Sequence, residues 1–217
     1  MLGQNKQFSM KTLLICVGLL LALPRVLAQT TTFDSDTVGQ LPAGWQCGAT
    51  GKGSPHWSVV VDGSAPSQPH VLSQTGEAAF PWCVRNNIDA SDGTIEVRFK
   101  PVSGKEDQVG GLVWHWKDGD NYYVARANAL ENNLALYYTV NGSRKTIKYV
   151  NAPVALNVWH TLRINFRGES IQVVLDGKTY IATNDIHLSG GGKAGVWTKA
   201  DSTTLFDDFS YTESGGK

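Results

Sequence analysis

The feature that most constrains this chain is its punctuation by tight-turn signals at short intervals. Asn141-Gly142 is a favoured pair for a two-residue hairpin turn, in which both central residues take positive φ, and Asp176-Gly177 is a second such pair. Gly168 and the run Asp118-Gly119-Asp120-Asn121 mark further turns. Short runs of alternating character lie between them. Thr94 to Phe99 is one; Leu112 to Trp116 follows Gly110-Gly111; Tyr122 to Ala127 follows the Asp-Gly turn. Leu134 to Val140 and Thr146 to Val150 flank Asn141-Gly142 as hairpin partners. Trp159 to Phe166 carries Leu162, Ile164 and Phe166 on one side, and Ile171, Val173 and Leu175 continue that face. Gly195 to Thr198 and Thr204 to Tyr211 close the series. Period-two alternation gives each strand one buried and one exposed face, and hairpin turns make neighbours antiparallel.

A helical reading fails, because no long segment repeats apolar residues at i, i+3, i+4 and i+7. Ala127 to Leu136 comes nearest, and Asn128, Asn132 and Asn133 weaken it. About ten short strands in roughly 180 residues predict an all-β fold, an antiparallel two-sheet jelly-roll β-sandwich. The hydrophobic fraction of 41% is enough for a packed core, and 23 glycines with 10% aromatics suit a turn-rich β protein. No internal repeat and no Pro/Ser linker divides residues 29–217, which are read as a single domain.

Residues 1–28 read as a secretory signal peptide. Lys6 and Lys11 form a basic start, Thr12 to Leu23 is an apolar run, Pro24 ends it, and Val26-Leu27-Ala28 supplies a cleavage site. The run is too short for a spanning helix, which needs ~20 residues. Cleavage removes Lys6, Lys11 and Arg25 and no acid, so the balance of 19 basic and 19 acidic side chains becomes a mature charge of −3. Such a balance argues against a nucleic-acid partner held by a basic surface, and a monomer without a membrane span is expected. Cleavage also removes Cys16, leaving Cys47 and Cys83. Two thiols in an oxidising compartment are expected to pair, a cross-link of roughly 3–4 kcal/mol in the chain-entropy model. A zinc site joining them to His56 matches no standard spacing.

Residues 110–144, GGLVWHWKDGDNYYVARANALENNLALYYTVNGSR, together with WHTLRINFRGESIQVVLDGK (159–178) and GVWTKADSTTLFDDFSY (195–211), resemble secreted concanavalin A-like, laminin-G-like jelly-roll domains. The named relatives that these segments resemble are 3-keto-disaccharide hydrolase domains, which are family-sixteen glycoside-hydrolase-like. The resemblance implies an extracytoplasmic, periplasmic or secreted, lectin- or glucanase-like sandwich with a carbohydrate partner. Where such domains carry Arg after the tryptophan, this chain carries His115.

Tests for catalytic motifs are mostly negative. Jelly-roll glucanases set two carboxylates on one strand as Glu-x-Asp-x-x-Glu, so that both face the sugar. None of the six glutamates, Glu77, Glu96, Glu106, Glu131, Glu169 and Glu213, has Asp two residues on. No Gly-x-Ser-x-Gly elbow is present. Ala49 to Pro55 lacks the ending of a phosphate loop. Asn141-Gly142-Ser143 is a glycosylation sequon that the hairpin turn already explains.

Sugar binding has clearer support, since pyranose faces stack on aromatic rings while polar side chains meet the hydroxyls. Alternation puts Tyr122, Val124, Arg126 and Asn128 on one side, with Tyr123, Ala125 and Ala127 opposite. His115 is set against Trp114 and Trp116, and Trp197 and Lys199 against Val196 and Thr198. The expected carbohydrate face is therefore His115, Tyr122, Arg126, Asn128, Trp197 and Lys199, with Asp201 at the rim. Trp45, Trp57, Trp82 and Trp159 are expected in the core or as lids, and an ion pair of Arg126 with Glu96 or Asp201 is the competing structural role. No cofactor is required. A structural calcium held by Asp34, Asp207 and Asp208 is a further expectation, because first and last strands often pair and calcium takes six to eight oxygens. The enzymatic alternative is a glycoside hydrolase acting on a keto-disaccharide, with His115 as base and Arg126 or Lys199 stabilising an enolate. A domain with no small ligand is the third reading. Expressed with its leader, the exported chain is expected to begin at Gln29 and to weigh two hydrogens less than the dithiol form, which an intact-mass spectrum checks.

Overall fold

The computed structural model describes Gly3 and residues 29–214. The expected leader, Gly3 apart, lies outside the described residues. Fifteen strands and no helix make up the described chain: β1 (Gln29–Thr31), β2 (Trp45–Ser54), β3 (Trp57–Val61), β4 (His70–Gln74), β5 (Glu77–Arg85), β6 (Gly93–Ser103), β7 (Val109–Asp118), β8 (Asn121–Asn128), β9 (Asn133–Val140), β10 (Ser143–Asn151), β11 (His160–Arg167), β12 (Ser170–Leu175), β13 (Lys178–Asn184), β14 (Lys193–Trp197) and β15 (Thr203–Glu213). They form two sheets. One runs β13-β12-β11-β6-β15-β4-β3, with β1 added beside β15; the other runs β10-β9-β8-β7-β14-β5-β2. Every ladder is antiparallel.

The turns are those the sequence calls for. Asn141 and Gly142 have φ of 50° and 72°, and Asp176 and Gly177 have 48° and 79°. Alternation then fills the space between the sheets. Ile95, Val97 and Phe99 from β6, Leu162, Ile164 and Phe166 from β11, and Ile171, Val173 and Leu175 from β12 face Leu112, Trp114, Tyr123, Ala125 and Ala127 across the sandwich. Cys47 and Cys83 are register partners on β2 and β5 and are joined as the expected disulfide, packed on that core. Trp45 and Trp57 are core residues, as expected, whereas Trp159 is half-buried and lies against Lys100.

Two bulges break the period of two. In β15 the register shifts between Asp207 and Ser210, and Asp208 takes a φ of 49°. Phe206 and Phe209 are an odd number apart and would point to opposite faces of a regular strand; the bulge lets both enter the inter-sheet core. It also buries Asp207, whose carboxylate accepts from Ser67 N at 2.9 Å and Ser67 Oγ at 2.8 Å. In β7 the register shifts between Trp114 and Asp118, with His115 at a φ of 47°. Trp114 therefore enters the inter-sheet core while Trp116 joins a second cluster on the outer face.

Burial pushes the Asp207 carboxyl up to about 6 from an ordinary 3.8, outweighing the Ser67 hydrogen bonds that pull the other way. The folded state thus keeps a proton that the unfolded chain releases between these values, so the residue's contribution falls as pH rises through that window. His115, held below its ordinary value by burial, acts with the opposite sign just below neutrality. The difference between wild type and Asp207→Asn isolates the carboxyl. The variant is expected to gain on wild type by roughly 2 kcal/mol between pH 4.5 and 7, read from urea unfolding at each pH.

Candidate functional site

The outer face of the seven-stranded sheet carries its own hydrophobic cluster: Trp82, Val84, Val109, Val113, Trp116, Tyr122, Val124, Ala135, Tyr137 and Trp197, with Phe80 packed against it. Among the described residues no third layer of secondary structure covers this cluster, and its side chains bury one another. Glycine makes this possible at one point. A Cβ on Gly48 would stand 2.8 Å from the Trp82 ring, so only a bare backbone lets that indole lie flat across β2.

The expected sidedness of β8 and β14 holds. Tyr122 and Val124 face outward and Tyr123, Ala125 and Ala127 inward, while Trp197 faces outward and Val196 inward. Exposure does not follow. Trp197 is 0% exposed, because Phe80 stacks on it at 5.8 Å between ring centroids. Tyr122 is equally buried, its hydroxyl 2.7 Å from Thr50 Oγ1. Arg126 is 3% exposed and is held by Asn133 Oδ1, Tyr137 Oη at 3.2 Å and Glu131 at 3.3 Å; its carboxylate partner is Glu131, not Glu96 or Asp201. Asn133 joins this set to β10, donating to Glu131 at 2.7 Å and to the Tyr149 hydroxyl. Burial would raise the Glu131 carboxyl, but the Asn133 hydrogen bond, foremost, and Arg126 hold it below the usual range.

Lys199, Asn128 and Asp201 belong to a neighbouring network. Lys199 Nζ lies 2.5 Å from the buried Asp107 carboxylate, which also accepts from Asn128 Nδ2 at 2.8 Å. Asp201 accepts the backbone N–H groups of Lys105, Glu106 and Asp107 and so fixes the β6–β7 loop; against its own burial, these donors hold its carboxyl low. Beside this network lies an open cleft of about 640 Å³, lined by Lys52, Gly53, Ser54, Glu77, Ala78, Ala79, Glu106 and Ala200.

His115 is not part of this face, contrary to the sequence expectation. The bulge turns its ring inward, 5.8 Å from Tyr123 and 5.4 Å from Phe166, at one end of the sandwich. Its Nε2 lies 3.0 Å from the Ser91 carbonyl, and burial lowers its pKa, so the ring is neutral at pH 7. It lines a separate 330 Å³ pocket with Ser91, Asp92, Asp185 and Leu188. His115, Arg126 and Lys199 therefore do not converge on one reacting group.

The calcium expectation meets donors already engaged. Asp34 accepts from His70 N at 3.0 Å, and Asp207 is bound by Ser67 on both oxygens. Among the described residues no three His, Cys, Asp or Glu side chains stand as a metal-holding group. Asp34, Asp207 and Asp208 do not form a cradle of six oxygens, so these residues do not fit the ion.

Three outer-face residues escape the sequence reading: Phe80, Tyr149 and Arg144. Tyr149 is 54% exposed. Arg144 lies 4.4 Å from the centroids of both Phe80 and Tyr137 and 5.7 Å from Trp197. A bulge between Thr146 and Lys148 brings Arg144 and Tyr149 to the same face. Their sequence signal is weak, since β10 is polar on both sides. Several donors beneath lack a partner among the described residues: the indole N–H groups of Trp82, Trp116 and Trp197, Arg126 Nε and Arg144 Nη1.

No protein-family model matches the chain, and no curated protein matches it in sequence. Solved structures do match in fold, and the architecture is that of a concanavalin A-like jelly-roll sandwich. The carbohydrate-binding module CBM66 from Bacillus subtilis aligns with a TM-score of 0.65 at 21% identity, over 79% of this chain and 96% of its own. A Bacillus licheniformis beta-glucanase aligns at 0.58 and 16% identity, over 87% and 98%. The exoplasmic/lumenal domain of VIP36, in its Ca2+/Man3GlcNAc-bound form, aligns at 0.58 and 12% identity, over 82% and 86%. The chain thus shares its fold with carbohydrate-binding and glycoside-hydrolase proteins.

The two arginines have different structural weight. Arg126→Ala removes a buried, three-partner guanidinium and is expected to destabilise by about 2–4 kcal/mol. Arg144→Ala removes only cation–π contacts and is expected to lose about 1 kcal/mol. Urea unfolding of the two variants side by side checks the order.

Proposed function

We propose that this is an extracytoplasmic saccharide-binding domain that seats its ligand on the outer face of the seven-stranded sheet. The observation that carries the reading is the composition of that face. Phe80 and Tyr149 offer ring surface at its opening, and behind them the indole and guanidinium N–H groups lack acceptors. A pyranose supplies what both need: C–H faces for the rings and hydroxyl oxygens for the donors. An unpaired buried donor costs about 1–3 kcal/mol, so a ligand that reaches these groups gains more than it would on a saturated surface. The fold shared with the carbohydrate-binding module CBM66 and with the Man3GlcNAc-bound exoplasmic/lumenal domain of VIP36 supports the same reading. An extracytoplasmic site of action is supported by the Cys47–Cys83 disulfide and by the leader-like residues 1–28.

The glycoside-hydrolase alternative has one observation of its own: Glu77 and Glu106, from different elements, both line the 640 Å³ cleft. Both are exposed, without the contrasting environments that split a catalytic acid from its base. The keto-sugar mechanism is weakened further by the inward turn of His115.

Affinity electrophoresis and calorimetry against a panel of soluble polysaccharides test the proposal. Phe80→Ala and Tyr149→Ala are each expected to weaken binding about tenfold or more with unchanged circular dichroism, and His115→Ala to leave it unchanged. Absence of any bound polysaccharide, or binding indifferent to Phe80 and Tyr149, would overturn the assignment. Release of sugars that stops in Glu77→Gln would put the hydrolase first.

A further inference from the structure

The cations that stand over the outer-face cluster each have an acceptor, with one exception. Arg126 faces Glu131, and Lys199 faces Asp107. Lys193, over the Trp116 ring, donates to Gln46 Oε1 at 2.8 Å and Asn86 Oδ1 at 3.1 Å. Arg144 has no carboxylate partner and donates no side-chain hydrogen bond among the described residues, although it is half-buried over three aromatic rings. Its Nη1 is buried without an acceptor, and its remaining nitrogens are equally unpaired but reach solvent. Packing on Phe80 and Tyr137 fixes the plane of the guanidinium, which therefore presents a fork of N–H groups in one orientation. The other unpaired nitrogens of this face are also donors, and the one unpaired oxygen there, the buried Thr139 hydroxyl in register with Arg144, can donate as well as accept. A neutral sugar would satisfy such a set with hydroxyls that bring their own donors. A carboxylate brings acceptors only, in the planar geometry that a guanidinium pairs with bidentately.

Resting on the saccharide reading above, we infer that the ligand is an acidic saccharide, whose uronate carboxylate pairs with Arg144 while its ring stacks on Phe80 or Tyr149. The aromatic rings keep the cation partly desolvated, which strengthens the pair relative to one on an open surface. Glu77 and Glu106 stand on the neighbouring cleft, so their charge favours a ligand that enters with its carboxylate on the Arg144 side.

The experiment uses the whole mature chain and matched ligands. Oligosaccharides of galacturonic, glucuronic and mannuronic acid are each compared with their carboxyl-reduced, neutral counterparts by calorimetry at low and high salt. Wild type is expected to bind at least one uronide about tenfold or more tighter than its neutral counterpart, with the preference shrinking as salt rises. Arg144→Ala is expected to abolish the preference, and Arg144→Lys, which keeps the charge and loses the fork, to retain only part of it. The wild-type comparison needs no variant to fold. Equal or tighter binding of the reduced sugars, or a uronide preference that survives in Arg144→Ala, would overturn the inference while leaving the saccharide reading intact. No binding of any acidic or neutral sugar would overturn both.

Discussion

Trp114 and Trp116 stand two residues apart on one strand and fill opposite sides of the sheet, because the β7 bulge at His115 lies between them. The rest of the seven-stranded sheet depends on that displacement. In a regular strand both indoles would crowd the inter-sheet core and the outer face would lose a large side chain. With the bulge in place, Trp116 packs on Trp82 at 5.0 Å, and the outer face becomes a second buried cluster behind the first. The same device in β15 brings Phe206 and Phe209 to one side, with the buried Asp207 carboxyl as its consequence.

The outer face is organised in depth. Its floor is apolar and largely closed. Its middle layer holds the matched charges, Arg126 with Glu131 and Lys199 with Asp107, each tied by amide side chains from Asn133 or Asn128. Its opening holds Phe80, Tyr149 and Arg144, the groups that still meet solvent. Rigid floor, braced middle and accessible rim are the arrangement that binding sites on rigid sheets require, since groups fixed in advance lose less entropy when a ligand arrives.

The strand pattern, the antiparallel sandwich, both hairpin turns and the disulfide were legible because each rests on local chemistry: period-two alternation, Asn-Gly and Asp-Gly turns, and the parity of two thiols. The strands that carry weaker alternation were not. Glycines 48, 51 and 53 hide β2, and Pro81 argues against β5, yet these two strands hold the disulfide and present Phe80 and Trp82. Parity sorted Tyr122, Arg126 and Trp197 to the correct side but could not show that Phe80 and the Asn133–Glu131 network cover them. Bulges defeated it outright, since one extra residue reverses every side chain beyond it; His115 was placed on the wrong face for that reason, and Arg144 with Tyr149 was missed. The engagement of Asp34 and Asp207 by His70 and Ser67 is tertiary, and nothing in the spacing of those acids announces it.

The indole N–H resonances of the seven tryptophans report on both sides of the sheet at once. Titration of labelled residues 29–217 with the uronides and their neutral counterparts, followed by two-dimensional nitrogen–proton NMR, tests the seat of the ligand most directly. Shifts at Trp82, Trp116 and Trp197, with Trp45, Trp57 and Trp114 unmoved, are the expected result. Shifts confined to Trp114 at the His115 end, or a spectrum unmoved by every sugar, would contradict a saccharide site on the outer face.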